Sequence, residues 1–223
     1  MPTIAKISVQ KRNSERYNVY LLENGKEYYA FSVDEKTLID FHLRKGMELE
    51  GSTIEQIKQK DYQAKAYNIA IRYLSYRMRT KKEMVDYLVK KEMDEEVIQQ
   101  VLTKLESEGL LDDGAFADAF VRTRINTSTK GPQLIKRELL QKGVSEEEAN
   151  TALEMYTYEK QLDKLIRLVI KTFKPTSKKS YQEQIRSMKV SFLQKGFGAD
   201  VIQEAITEAE LEKDEEQEYE ILQ

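Results

Sequence analysis

The sequence predicts a mainly α-helical protein, built of tandem three-helix repeats and preceded by a small β-rich module. One segment occurs in three related copies: YLVKKEMDEEVIQQVL at 87–102, ELLQKGVSEEEANTAL at 138–153 and SFLQKGFGADVIQEAI at 191–206. The copies start 51 and then 53 residues apart, and self-similarity at such a period is typical of a repeated supersecondary unit. Apolar residues recur with a helical period from Asp61 onward, whereas the residues before it alternate as strands do.

The β-rich module contains the pattern of a hairpin. Apolar and polar residues alternate over 4–9 and 17–21, and a third apolar segment at 28–31 follows Asn24-Gly25. That dipeptide is typical of a two-residue type I′ turn between antiparallel strands. Since an isolated hairpin is only marginally stable, we expect it to pack against the helix that follows.

Each copy of the repeated segment has the pattern of a helix end, a tight turn and a new helix start. Gly143 and Gly196 stand where the first helix ends, a position that favours left-handed backbone angles. Ser145 and Glu148 then form a predicted capping box. The first copy has Glu92 at the glycine position, so we expect its turn to be wider or mildly strained.

These patterns divide the chain into five predicted domains. They are a β-rich N-terminal module at 1–60, three-helix repeats at 61–108, 109–157 and 158–212, and an acidic C-terminal tail at 213–223. The predicted helices run over 61–77, 80–91 and 94–108, then 113–126, 131–142 and 145–157, then 158–173, 178–195 and 199–212. Stacked units of this kind predict an elongated or curved array.

Composition excludes several classes of protein. Cysteine is absent, which excludes disulfides and thiolate chemistry and fits a reducing cytosol. No run of about 18 apolar residues could span a membrane. His42 is the single histidine, and no glycine-rich phosphate loop occurs. Asp112-Asp113 precedes a predicted helix and is interpreted as its N-cap. We therefore predict no enzyme, no cofactor and no metal site, with a carboxylate- or lysine-based enzyme as the remaining alternative.

Charge is strongly polarised within each repeat. Seven basic residues against two acids lie between 72 and 91, six against one between 122 and 142, and ten against two between 160 and 195. Third helices are acidic instead. The helix dipole favours part of this pattern, because it prefers acids at helix starts and bases at helix ends. Aligned repeats would also form a basic stripe, as expected for a surface that binds a phosphate backbone or an acidic protein groove.

Aromatic residues interleave with arginines at one place in the first repeat. Residues 73–79 read YLSYRMR. Such a mixture is typical of a base-stacking surface on single-stranded nucleic acid. Tyrosines on a helical face are also common as half-buried packing residues, which is the stronger interpretation here.

Three segments resemble the RecX family of recombination regulators: YLSYRMRTKKEMVDYL at 73–88, LLDDGAFA at 110–117, and the stretch from Gly131 to the ELLQKG at 138–143. The resemblance covers about 60–210, and the N-terminal extension is similar to that of RecX proteins from low-GC Gram-positive bacteria. Glu92 and the acidic tail depart from the family pattern. The resemblance implies a cytoplasmic, non-enzymatic protein of DNA repair, homologous recombination and the SOS response. It further implies tandem three-helix repeats that bind RecA filaments on single-stranded DNA and limit strand exchange and co-protease activity.

The basic stripe and the resemblance together predict an inhibitor of RecA, acting as a monomer with RecA and single-stranded, or also double-stranded, DNA as partners. The alternative is a sequence-independent DNA-binding protein that acts without RecA, since three-helix units are similar to helix-turn-helix modules. The candidate contact residues are Arg72, Arg77, Arg79, Lys81, Lys82, Arg122, Arg124, Lys130, Lys136, Arg137, Lys171, Lys174, Lys178 and Lys179.

Overall fold

The N-terminal module is an antiparallel sheet in the order β1-β2-β3, formed by Thr3–Gln10, Asn13–Glu23 and Lys26–Asp34. The structure, a computed structural model, describes residues 1–11 and 13–209, so the predicted acidic tail lies outside the described residues. Asn24 and Gly25 have φ angles of 51° and 77°. Both are positive, as a type I′ turn requires, and the predicted hairpin is confirmed.

Two helices complete the module. Helix α1 spans Glu35–Asp40, and its N-cap Asp34 accepts a hydrogen bond from the Thr37 backbone N–H. Helix α2 spans Gly51–Leu74, so it begins earlier than the predicted 61. Its first turns carry Ile57, which is fully buried with the apolar face of the sheet. The hairpin therefore packs on the following helix, as expected.

Eight further helices follow, and each lies over one predicted helix. They are α3 Lys81–Lys90, α4 Glu95–Ser107, α5 Asp113–Thr127, α6 Pro132–Gln141, α7 Glu146–Leu153, α8 Tyr158–Thr172, α9 Tyr181–Gln194 and α10 Ala199–Glu208. The Ser145–Glu148 capping box is present at the start of α7. The mainly helical fold with a β-rich N-terminal module is thus confirmed. Within the described part of the chain, no helix has both the length and the apolar character needed to cross a bilayer.

The chain forms two compact units. The first contains Met1–Met78 and Met84–Leu111, with one core under the sheet and another among α2, α3 and α4. The second contains Arg79–Glu83 and, within the described part of the chain, residues 112–209, with a core shared by α5 to α10.

The three copies of the repeated segment form the same turn. Gly143 N–H donates to Leu140 O at 3.0 Å, and Val144 N–H donates to Leu139 O at 3.2 Å, which is the Schellman pattern of a helix end. The equivalent bonds of the third copy, at Gly196 and Phe197, measure 2.9 and 3.2 Å. Those of the first copy, at Glu92 and Met93, are also 2.9 and 3.2 Å.

All three turns place their central residue in the left-handed region. The φ angle is 88° at Gly143, 87° at Gly196 and 58° at Glu92. The helix-stop role predicted for the two glycines is confirmed. Of the two alternatives for the first copy, the structure has the strained turn, because its hydrogen bonds match those of the other copies and it is no wider.

Two of these turns also accept a hydrogen bond from the residue just before an earlier helix. Thr80, just before α3, donates its hydroxyl to Lys142 O at 2.7 Å in the α6–α7 turn. Gly131, just before α6, donates its N–H to Lys195 O at 2.8 Å in the α9–α10 turn. Thr80 and Gly131 are 51 residues apart, the spacing of the first two copies. We call this contact the repeat joint; it occurs twice within the second unit.

Candidate nucleic-acid interface

The structure sorts the predicted basic residues by what their side chains contact. Arg124 Nε lies 2.9 Å from Glu138 Oε2, and Lys130 Nζ pairs with the other oxygen of the same carboxylate. Burial would raise the pKa of Glu138, but the hydrogen bonds and charges of Lys130 and Arg124 outweigh burial and lower it. These two cations therefore hold α5, the loop before α6 and α6 itself together.

Lys136 and Lys82 also have partners within the fold. Lys136 Nζ lies 2.7 Å from Glu146 Oε1, and this pair lowers the pKa of the exposed Glu146 carboxyl. Lys82 Nζ donates to Gln141 O at 3.2 Å, which places it in the repeat joint. Both residues are thus part of the contacts that shape the second unit.

The segment before α3 is held in place by its own polar contacts. The Lys81 backbone N–H donates to Asp113 Oδ1 at 2.8 Å, and an Arg77 guanidinium nitrogen donates to Met78 O at 3.1 Å. Arg79 is partly buried. Asp112 accepts from the Ala115 N–H at 2.9 Å, which confirms the predicted N-cap of α5.

The remaining candidates are exposed, and none of them forms an ion pair with another of residues 1–11 and 13–209. They are Arg72, Arg122, Arg137, Lys171, Lys174, Lys178 and Lys179. Arg72 belongs to the first unit and the others to the second. Their charges are available to an external anion.

The second unit also contains a basic groove of about 810 Å³ between α5 and α8. Its charged lining consists of Arg122, Lys160, Asp163, Lys164, Arg167 and Lys171. Arg122 and Lys171 were predicted; Lys160, Lys164 and Arg167 were not. The four cations of α8 lie at positions i, i+4, i+7 and i+11, which is one face of a helix. That spacing was visible in the sequence and could have identified them.

Two of the groove lysines are fixed to the backbone. Lys164 Nζ donates to Ile125 O and, at 2.9 Å, to Ser128 O at the end of α5. Burial lowers the pKa of the Lys164 ammonium group. Lys160 Nζ donates to Met155 O at 2.7 Å. Arg122, Lys160, Arg167 and Lys171 are exposed, and Lys164 is partly buried.

The two tyrosines of the segment 73–79 have different surroundings. Tyr73 stacks on Tyr87 with ring centroids 3.8 Å apart and an interplanar angle of 9°, so it is a packing residue. Tyr76 is 78% exposed in the turn after α2. The packing interpretation is confirmed for Tyr73, while the base-stacking interpretation stays a prediction for Tyr76.

Comparison with protein families gives three matches along the chain. The N-terminal domain of regulatory protein RecX matches residues 2–50. The first RecX three-helix domain matches 66–105, and the second matches 112–153.

Similar full-length proteins bear the same description. "Regulatory protein RecX" of Oceanobacillus iheyensis is 45% identical over 224 residues, which cover 100% of this chain and 82% of the relative. The protein of that name from Halalkalibacterium halodurans is 42% identical over 222 residues, covering 100% and 84%.

Solved structures agree. A crystal structure of regulatory protein RecX has a TM-score of 0.79 and 38% identity, covering 93% of this chain and 100% of that one. RecX from Lactobacillus salivarius has a TM-score of 0.66 at 38% identity, covering 69% and 99%. On this likeness in sequence and structure, the chain belongs to the RecX family of regulatory proteins.

Proposed function

We propose that this protein inhibits the RecA recombinase by binding RecA filaments on single-stranded DNA, and so limits strand exchange and co-protease activity. The observation that carries the proposal is its membership of the RecX family across the whole chain, at 45% identity to a regulatory protein RecX. A partner that acts on chromosomal DNA also implies that the protein is cytoplasmic. We propose that it acts as a monomer without a cofactor or catalytic step.

The exposed cations support a filament contact. A RecA–DNA filament contains the phosphates of its DNA strand, and complementary charge speeds association with such a partner. We propose that Arg72, Arg122, Arg137, Lys171, Lys174, Lys178 and Lys179 contact the filament directly. We propose that Arg77, Arg79 and Lys81 also contribute to the filament contact; Arg77 and Lys81 are exposed, and Arg79 is partly buried.

Four of the predicted residues have a different role in the proposal. Lys82, Arg124, Lys130 and Lys136 already bind oxygens within the fold. Releasing them to an external anion would leave partly buried acceptors such as Glu138 without their partners, which is costly. We therefore propose that these four support the surface and do not bind the filament.

The test is the DNA-dependent ATP hydrolysis of RecA in the presence of the purified protein. We expect the wild-type protein to suppress hydrolysis on single-stranded DNA. Changing Lys171, Lys174, Lys178 and Lys179 to Ala should weaken the suppression while far-UV circular dichroism stays unchanged. Wild-type protein that binds neither RecA nor its filament would contradict the proposal.

A matched variant separates binding cations from structural ones. Lys136→Ala removes a cation of the second unit whose charge is already paired with Glu146. We expect it to suppress RecA nearly as well as the wild type. An equal loss in Lys136→Ala and in the single variant Lys171→Ala, which removes the same charge, would show that net charge alone governs the effect.

The second candidate function is sequence-independent DNA binding without RecA. The observation that favours it is the basic groove between α5 and α8, which holds five cations and one carboxylate. DNA affinity measured without RecA, compared with suppression of RecA hydrolysis, distinguishes the two. Strong DNA affinity with no effect on RecA would select the second function.

A further inference from the structure

We infer that the groove between α5 and α8 is a binding site for the sugar–phosphate backbone of a single DNA strand. The inference rests on the proposed function, because it assigns the DNA part of the filament contact to one site. The groove includes Lys160, Lys164 and Arg167, which were not among the candidate contact residues predicted from the sequence.

The groove is strongly basic. Arg122 projects from α5, and Lys160, Lys164, Arg167 and Lys171 come from α8, against Asp163 alone. A concave surface with one dominant sign of charge concentrates counter-ions of the other sign. Arg122, Arg167 and Lys171 have no ion-pair partner within the described part of the chain, so an incoming anion displaces no internal acid.

A lysine side chain covers the carbonyl oxygens at the end of α5. Carbonyl oxygens at a helix C-terminus carry partial negative charge, which would repel a phosphate. Here Lys164 covers two of them, since its ammonium group donates to Ile125 O and Ser128 O. Lys160 covers Met155 O in the same way. These two lysines neutralise carbonyl oxygens of the groove wall that would repel an anion, and they leave Arg122, Arg167 and Lys171 to bind it.

The spacing of the charges in the groove suits a strand of nucleic acid. The cations of α8 run from Lys160 to Lys171, a distance of about 16 Å at a rise of about 1.5 Å per residue. A nucleic-acid strand carries one phosphate per about 3.4 Å of axis, so several phosphates fit beside this row. Arginine adds a planar fork of N–H donors that matches a phosphate group.

The groove lining also has an apolar part. It consists of Ile125, Met155 and Leu168, and no aromatic side chain lines the groove. Base stacking on proteins uses aromatic faces, whereas backbone contacts carry no sequence information. The site should therefore bind oligo-dT and oligo-dA with similar affinity.

The experiment is a matched pair of charge reversals in the full chain. Arg167→Glu with Lys171→Glu changes the groove, and Arg186→Glu with Lys189→Glu makes the same change on α9, outside it. Fluorescence anisotropy with labelled oligo-dT, without RecA, measures affinity at several salt concentrations. We expect the groove variant to lose at least tenfold, and the α9 variant to change less than threefold. The log–log salt dependence of the groove variant should be shallower by about 1.4, from two contacts of about 0.7 each.

A larger loss of DNA affinity in the groove variant than in the α9 variant would support the groove as the DNA site. Equal losses in both variants, or no loss in the groove variant, would overturn it. Folding is checked by circular dichroism, and Arg167→Gln with Lys171→Gln should give a smaller loss in the same direction without charge reversal.

Suppression of RecA hydrolysis, measured in parallel, separates this inference from the proposed function. A groove variant that keeps its DNA affinity but loses suppression shows that the groove binds an acidic protein surface, which overturns the inference alone. A wild-type protein that binds DNA through the groove but leaves RecA unaffected overturns the proposed function alone.

Discussion

The turn around Glu92 and the turns around Gly143 and Gly196 have the same backbone but different surroundings. Each ends a helix with the same pair of hydrogen bonds, and each central residue has a positive φ. Glu92 is exposed, and the nearby Tyr62 hydroxyl donates to Glu92 O at 3.4 Å. The two glycines instead lie against the start of another helix.

The contacts show how close that approach is. A Cβ on Gly196 would lie 2.5 Å from the backbone nitrogen of Leu134, and one on Gly143 would lie 2.5 Å from Lys82 Cβ. Ordinary Cβ atoms do not approach other atoms so closely. Glycine is therefore needed for two reasons in the repeat joints, namely the left-handed angle and the missing side chain. In the first copy, only the left-handed angle favours glycine.

This difference explains why glutamate is tolerated in the first copy. A left-handed angle at a residue other than glycine costs about 1 to 2 kcal/mol, which a folded domain can absorb. A steric conflict with a neighbouring backbone cannot be relieved by a rotamer change. Glu92, at which the sequence departs from the RecX family pattern, thus lies in a turn that has room for a side chain.

The largest expected effect is that of Gly196→Ala. Two hydrogen bonds hold this joint, from Gly131 N–H to Lys195 O at 2.8 Å and from Gln133 N–H to Gly196 O at 3.2 Å. Strain of about 1 to 2 kcal/mol adds to the loss of these two bonds at about 1 kcal/mol each, so we expect a total near 3 to 4 kcal/mol. Denaturant unfolding followed by circular dichroism measures it. Gly198→Ala is the matched control, because Gly198 has a negative φ and its added Cβ meets only the movable Asp200 carboxylate. Equal losses at both positions would contradict the joint.

Gly143→Ala should have the next largest effect. Its added Cβ meets the side chain of Lys82, which can move only with α3, and the Thr80–Lys142 bond must lengthen. We expect a loss of about 2 to 3 kcal/mol. Lys82→Ala should not rescue it, since the Cβ of residue 82 remains. Recovery of stability in the double variant would show that only the outer part of Lys82 is in conflict.

Thr80→Val tests the joint without changing a turn. Thr80 is fully buried, and its hydroxyl donates to Lys142 O at 2.7 Å and accepts from the Glu83 N–H at 3.1 Å. Valine keeps the shape but loses both bonds, which predicts a loss of about 1 to 2 kcal/mol. Thr80→Ser, which keeps the hydroxyl, should recover most of it in the same unfolding experiment. If valine were neutral, the joint would depend on shape alone.

The smallest expected effect is a gain in the free energy of unfolding, whereas the other variants lose stability. Glu92→Gly relieves the left-handed strain but gives the unfolded chain more freedom, so we expect a net gain of about 0.5 to 1 kcal/mol. Glu92→Ala, which keeps a Cβ at the same angle, should bring no comparable gain. A destabilised Glu92→Gly variant would mean that the glutamate side chain makes a favourable contact that outweighs its strain.

Much of the fold was predictable because it depends on neighbours in the chain. The hairpin turn at Asn24-Gly25, the helix stop at Gly143 and the capping box at Ser145 all use residues within a few positions of one another. The candidate site was predictable only in part. Arg124 and Lys130 look as available in the sequence as Arg122, yet both are paired with one carboxylate.

By itself the sequence determined the repeat, its period, the helix ends and the excess of basic residues, because local backbone preference and hydrophobic periodicity fix these features. Only the tertiary structure decided which cations remain exposed and which surfaces meet. Lys82 and Gln141 are 59 positions apart, and the groove joins Arg122 to Arg167. Such contacts depend on how helices pack, and a side chain's partner across a packed interface is not determined by its own sequence neighbours.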